Sequence, residues 1–435
     1  MSRKNVEPKL KRQLNFLDAL SVGLGAIIGA GIFVVIGLAA GMAGPAVVLS
    51  VIIAGVSASF TALSFAELGA SLPKAGGVYE YGHTLLHPVV GFFMGWMWVS
   101  GNIVLGATAS LSFGYYLASA FPGISPKVGA VVLIIFVTIV NIVGVKLSAG
   151  VNNLLVAGKV LVLIIFASIG LLNVNPIYFQ EFMPKGLLPV VTASALFYFA
   201  YIGFPRISTM AEEVVNPEKN IPRAILGSLF ISMAIYITTA VAAVGLVGYE
   251  ALAGSSAPIA TAAEKLGLKG LVEAGALLAT FSVVLTSAMG QSRVFFAMAR
   301  NDEIPYSLAS VSERFSTPVN SIILSGVIML VLALTIDISG LASFTSFSVL
   351  FTHIFTNIAA IILYRRDTPR VSYAFKGRPI HAYIGALLSL ILCLSLGLQT
   401  LIAGMANLAL SIMWFYGYKL YTSRRKEVAG HSLSV

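Results

Sequence analysis

Gly25-Ala-Ile-Ile-Gly29-Ala-Gly31-Ile-Phe33 and Phe197-Tyr-Phe-Ala-Tyr201-Ile-Gly203-Phe-Pro205 decide how this chain folds. Each lies in a long apolar run, yet glycine is a poor helix former and proline removes a backbone donor. One reading is close helix packing through small residues, and Gly25 and Gly29 have the GxxxG spacing for it. The other is a pair of broken membrane helices. Irregular backbone survives in a bilayer only where it is buried or lines a cavity. Paired interruptions at matching places in two halves of a chain point to a transporter site.

The rest of the chain supplies those halves. Of 435 residues, 58% are hydrophobic and only 10% are charged, against about 25% charged in soluble domains. A membrane-crossing helix needs roughly 20 apolar residues. Apolar runs at 16–42, 46–70, 88–118, 128–146, 153–172, 187–211, 224–247, 271–297, 319–336, 341–364, 382–402 and 404–421 predict twelve crossings. The two interruptions then open spans 1 and 6, the first spans of two five-helix halves. The run Ala19–Met42 is too long for a signal core and has no convincing cleavage site, so it reads as a retained first helix.

The net charge of +10 reads as topology rather than as affinity for nucleic acid. With an even number of crossings, both termini share a side. That side collects 21 of the 27 basic residues, including Arg3, Lys4, Lys9, Lys11 and Arg12 at the start and Lys419, Arg424, Arg425 and Lys426 at the end. The opposite loops hold four, Lys127, Lys185, Lys265 and Lys269. This asymmetry predicts a multi-pass protein of the cell membrane with cytoplasmic termini. Lys159 and Arg206 fall within spans. A cation there is expensive and usually faces a cavity or a partner, although a lysine can also snorkel to the interface. The lone Cys393 excludes an intramolecular disulfide. No phosphate-binding motif, paired cysteines or catalytic triad stands out, so neither an ATP-driven pump nor an enzyme is expected, and no cofactor or metal.

Four motifs together resemble the amino acid–polyamine–organocation (APC) transporter superfamily, of the basic/neutral amino acid antiporter and cationic amino acid transporter-like type. They are Gly25–Phe33; Ala66-Glu-Leu-Gly69 with Pro73-Lys-Ala-Gly-Gly-Val-Tyr-Glu-Tyr81; Phe199–Phe204 running on to Glu212-Glu-Val-Val-Asn-Pro217 and Ile221-Pro-Arg-Ala224; and Arg293 with Met298-Ala-Arg-Asn-Asp302. The resemblance covers nearly the whole chain. It implies an all-α integral membrane fold with a 5+5 inverted repeat, broken helices 1 and 6, and two additional helices. The divisions are then a tail at 1–15, repeats at 16–172 and 187–364, helices 11 and 12 at 382–421, and a tail at 422–435.

The resemblance also implies alternating access, with an amino acid held between the two breaks. Free N–H groups at a broken helix suit a carboxylate, and exposed carbonyls suit an ammonium. Carried over by position, the substrate contacts are Ile27, Ala30 and Gly31 in span 1 and Phe199, Ala200 and Ile202 in span 6, with Phe199 as an aromatic lid. A branched side chain at Gly31 is expected to fill the carboxylate's place. Ala107 and Ser110 are candidates to shape the side-chain pocket. Lys159 matches the span-5 lysine of proton-coupled and sodium-independent members, where its ammonium takes the place of a sodium ion. A lysine shielded from water can release its proton in the working pH range. Its expected partner is Ser282, with Thr286 second.

Two departures stand out. Pro205-Arg206 replaces an acidic residue common in the family, so Arg206 either faces a water path or pairs with Glu212 or Glu213. Ala30 replaces a hydroxyl-bearing residue. Glu67 reads as a helix-end anchor, His353 as a packed neutral histidine, and Trp96, Trp98, Tyr115 and Tyr116 as packing or interface residues. The expected partners are an amino acid, protons and lipid, with an oligomer or accessory subunit left open. Proton symport is the leading expectation. Exchange, and a non-transporting receptor or assembly subunit that kept the fold, are the alternatives. The candidate site has no acidic side chain, which favours neutral over cationic substrates.

Overall fold

The computed structural model describes residues 10–431 apart from 30, 122, 256, 336–340, 367–369 and 374–375. Among the described residues, nine stretches are long and apolar enough to cross a membrane. The first, Phe16–Ser71, contains two crossings, because Gly44 takes a left-handed turn (φ 66°) between the helices Ile36–Ala43 and Val47–Ser71. With the shorter apolar helices Val319–Thr335 and Ile380–Leu394, the described segments number the twelve that the hydropathy predicts.

Local chemistry sets the helix ends. Asn15 and Asp18 form a reciprocal capping box at the start of span 1. Proline opens span 3 at Pro88, span 4 at Pro126 and span 7 at Pro217, where its missing N–H costs nothing. Several boundaries differ from the hydropathy reading; span 7, for one, runs Pro217–Ala253 rather than 224–247. Span 5 runs Val145–Leu172, eight residues longer at its start, because its polar first turns find partners on span 1. Lys146 pairs with Asp18, Asn153 donates to Asp18 (3.0 Å), and Asn152 donates to the Ser21 carbonyl (2.7 Å). The break between spans 11 and 12 falls at 395–397, with Gly397 left-handed (φ 88°), and not at Ala403.

Both predicted breaks are present. Span 1 is helical over Phe16–Ile27, extended at Ile28 (ψ 95°), and resumes as a wide turn over Gly31–Val35 before Ile36–Ala43. Span 6 is helical over Leu187–Phe197, tightens over Tyr198–Tyr201, and restarts at Pro205–Thr209. Spans 1 and 6 sit at the centre, packed on spans 2, 5, 7 and 8. Apolar side chains of spans 4, 5, 11 and 12, such as Val132, Leu154, Leu161, Leu390 and Ile402, point outward, as a lipid-facing rim requires.

Candidate functional site

The breaks meet through glycine. A Cβ on Gly31 would lie 2.4 Å from the Ala200 Cβ and 2.5 Å from its Cα. A Cβ on Gly203 would lie 2.3 Å from the Ala26 carbonyl carbon and the Ile27 nitrogen. Each break therefore contributes one glycine on which the other's backbone rests. Tyr236 of span 7 reinforces the join: its hydroxyl lies 2.6 Å from the Ile27 carbonyl oxygen and 3.2 Å from that of Ala200. One proton serves both, and each carbonyl retains a lone pair for a further donor.

Of the substrate residues expected from sequence, Ile27, Gly31, Phe199, Ala200 and Ile202 converge here and all are buried, Phe199 at 6% exposure. Ala30 lies outside the described residues. Gly31 faces Ala200 directly, so its missing side chain makes room for span 6. Ser110 donates locally to the Gly106 carbonyl (2.8 Å).

Lys159 is fully buried near the middle of span 5, which excludes snorkelling. Its Nζ donates to the carbonyl oxygens of Gly25 (2.9 Å) and Ile28 (2.5 Å), on either side of the last helical turn before the span-1 break. These carbonyls are freed where the helix stops. Ser282 of span 8 also donates toward Gly25 O (3.3 Å), and lies 2.6 Å from Asn152 Oδ1. Lys159 and Ser282 thus share an acceptor rather than bond each other. Asn152, two turns before Lys159 on the same helix face, completes the set. Its polarity suggested a loop, and only its distance of seven residues from Lys159 could have marked it. Tyr236 carried no sequence signal.

Arg206 is fully buried, and it pairs with neither Glu212 nor Glu213. Its Nε and Nη2 donate to Asn102 Oδ1 of span 3 (3.3 and 2.9 Å), and Nη1 donates to Thr286 Oγ1 of span 8 (3.0 Å). Thr286 therefore serves Arg206, not Lys159. Glu213 forms a buried two-point pair with Arg293 (2.9 and 3.0 Å), and Glu212 pairs with Arg300 (3.2 Å). Beside them an isolated parallel bridge joins Leu14 to Val214, and Gly76 N–H donates to the Thr209 carbonyl (3.0 Å). These contacts seal the end that carries loops 2–3, 6–7 and 8–9. Glu67 accepts from Tyr364 (2.5 Å) and lies 3.0 Å from His381 Nε2, an anchoring role. His353 packs against Phe65 and Phe204 with Nδ1 2.8 Å from the Tyr198 hydroxyl.

A family model described as amino acid permease matches residues 18–427. The chain belongs to the amino acid permease family. Among its relatives is a Bacillus subtilis protein named branched-chain amino acid permease BcaP, 31% identical over 97% of this chain and 96% of that protein. A methylthioribose transporter of the same species is 30% identical over 86% of each. The vacuolar cationic amino acid transporter 4 of Arabidopsis thaliana is 32% identical over 84% of this chain and 65% of the relative. This permease is accordingly a multi-pass membrane transporter of amino acids and not an enzyme.

Proposed function

We propose that this permease is a secondary active transporter of the cell membrane, with cytoplasmic termini, that carries amino acids by alternating access. It is coupled to protons and independent of sodium. The observation that carries this reading is the Lys159 ammonium on the Gly25 and Ile28 carbonyls. A cation at that point compensates the freed carbonyls of span 1, as a sodium ion otherwise would. A lysine, unlike a metal ion, can give up its charge by losing a proton. The join between spans 1 and 5 is then set by protonation.

The relatives' names span branched-chain amino acids, cationic amino acids and methylthioribose, so family membership leaves the substrate open. Two buried cations, Lys159 and Arg206, favour neutral amino acids over lysine, arginine or polyamines, because a cationic side chain would meet like charge. The α-ammonium would take the remaining lone pairs of carbonyls at the two breaks, and the α-carboxylate the free N–H groups.

The test is pH-gradient-driven uptake into sodium-free proteoliposomes by wild type, Lys159→Ala and Lys159→Arg. Wild type should accumulate substrate without sodium, and both variants should fall to background. Arginine keeps the charge but does not release its proton, so near-normal accumulation by Lys159→Arg would overturn proton carriage. Retained counterflow by Lys159→Ala would identify an exchanger, and substrate binding without accumulation by wild type a receptor.

A further inference from the structure

Buried charge is costly unless paired, and the described buried carboxylates are all committed elsewhere. Asp18 pairs with Lys146, Glu80 with Lys74, Glu213 with Arg293 and Glu67 with His381, while Glu303 faces His83. Every one of these lies toward the end carrying the even-numbered loops. Among the described residues no carboxylate bonds Lys159 or Arg206, and Arg206 cannot shed its charge. An ionisable residue kept inside a membrane against such a cost marks a functional site.

The guanidinium is also incompletely used. Asn102 and Thr286 take three of its five N–H groups, which leaves one on each terminal nitrogen. A carboxylate binds such a pair in a fork. Asn102 is held for this role, since its own amide nitrogen donates to the Trp98 carbonyl (2.8 Å) and turns Oδ1 toward Arg206. A second observation points the same way. Buried polar atoms are normally satisfied, yet Trp98 Nε1, Ser287 Oγ and Ser348 Oγ have no partner. Trp98 and Arg206 meet at Gly290, Ser287 follows Thr286, and Ser348 packs on Gly101 beside Asn102. The three orphans thus belong to residues that neighbour Arg206 or its partners in packing or in sequence.

We propose that Arg206, held by Asn102 and Thr286, is a side-chain subsite for a carboxylate, which makes acidic amino acids substrates of this permease. Arg206 lies four residues beyond Ile202, in the first turn of the short helix that restarts span 6 at Pro205, next to the break where the α-groups of a substrate would sit. The proposal rests on the amino-acid reading above and narrows its substrate class. The same guanidinium that repels cationic side chains recognises anionic ones, and the neutral preference extends to acidic substrates.

Binding and transport should be measured separately at pH 7. Equilibrium binding of glutamate and of glutamine to the purified full-length protein reads the subsite; accumulation of each in proteoliposomes reads transport. Wild type should bind glutamate at least about tenfold more tightly than glutamine, the size of one charge-assisted hydrogen-bond set. Arg206→Gln should bring that ratio to about one. Asn102→Asp, which supplies the guanidinium with an internal carboxylate, should do the same if Arg206→Gln does not fold. Glutamate binding no tighter than glutamine in wild type, or a ratio unchanged in a folded variant, would overturn the subsite. Neutral-substrate binding that requires chloride, with no glutamate preference, would assign Arg206 to an inorganic ion and equally overturn it. Glutamate-selective binding without accumulation would support the subsite and overturn transport.

Discussion

Substituting alanine at Gly31 and at Gly203 probes the join between the broken helices. A new Cβ at Gly31 would sit 2.4 Å from Ala200 Cβ and 2.5 Å from Ala200 Cα. Carbon atoms in contact normally stay about 3.5–4.0 Å apart, so the breaks must separate by about 1 Å. At Gly203 the obstacle is the Ala26–Ile27 peptide itself, at 2.3 Å. Neither obstacle is a flexible side-chain tip that could swing aside. Overpacking of this kind costs about 1–3 kcal/mol, a factor of roughly 5 to 150 in an equilibrium constant. Because the proposed substrate contacts are backbone groups on both sides of this seam, the same separation should weaken substrate binding by a comparable factor. Gly150→Ala is the control, since nothing lies within 4 Å of its Cβ position and alanine improves a helix interior. The assay is thermal unfolding of purified protein with and without saturating substrate, together with equilibrium binding. Wild-type melting and affinity in both Gly31→Ala and Gly203→Ala would refute this account of the seam. Alanine is a better probe than valine here, because Gly31→Val would drive two further carbons into span 6 and lose the fold along with the site.

Two other outcomes are expected. Burial pushes the Glu303 carboxyl, which faces His83, Tyr79, Glu80 and Lys419, from 4.5 up to about 7. The folded protein then holds a proton that the unfolded chain releases, so stability should fall by up to about 3 kcal/mol as pH rises from about 4.5 to 7. Glu303→Gln should flatten that slope in pH-dependent melting, and an unchanged slope would discard the assignment. In a Cys393→Ala background, cysteines at Ser316 and Ser423 should react with a membrane-impermeant thiol reagent only from the cytoplasm, and one at Ser255 only from outside; cytoplasmic labelling at Ser255 would overturn the twelve-span topology.

The spans were legible because lipid demands long apolar runs whatever their neighbours are. What the neighbours decide was not legible. Asn152 read as loop, but Ser21 and Ser282 satisfy it from other spans, Lys146 ahead of it pairs with Asp18, and span 5 extends through both as helix. The two breaks announced themselves in glycine, since only close backbone approach explains Gly31 and Gly203 in such apolar surroundings. The tyrosine that ties them is one apolar-looking residue in the 37-residue helix Pro217–Ala253. Arg206 was visible as an anomaly. Its partners were not, because Asn102 and Thr286 lie 104 and 80 residues away and meet it only through the packing of spans 3, 6 and 8.

These contacts also divide the molecule mechanically. Residues Gly25–Ile28 are held from two directions: Lys159 and Ser282 reach them from spans 5 and 8, and Tyr236 and Gly203 from spans 7 and 6. The second set consists of a neutral hydrogen bond and steric fit, neither of which depends on protonation. The first depends on an ammonium. Loss of the Lys159 proton removes charge-assisted bonds to Gly25 and Ile28 and leaves the contacts among spans 1, 6 and 7 in place. Proton release on this reading frees spans 1, 6 and 7 to move as a unit against spans 5 and 8. The buried Arg293–Glu213 pair, which links span 8 to the chain leaving span 6, is the contact such a motion must break to open the sealed end. Breaking a buried pair costs about 3–5 kcal/mol when one partner is left uncompensated, so opening requires water to reach both charges as they part.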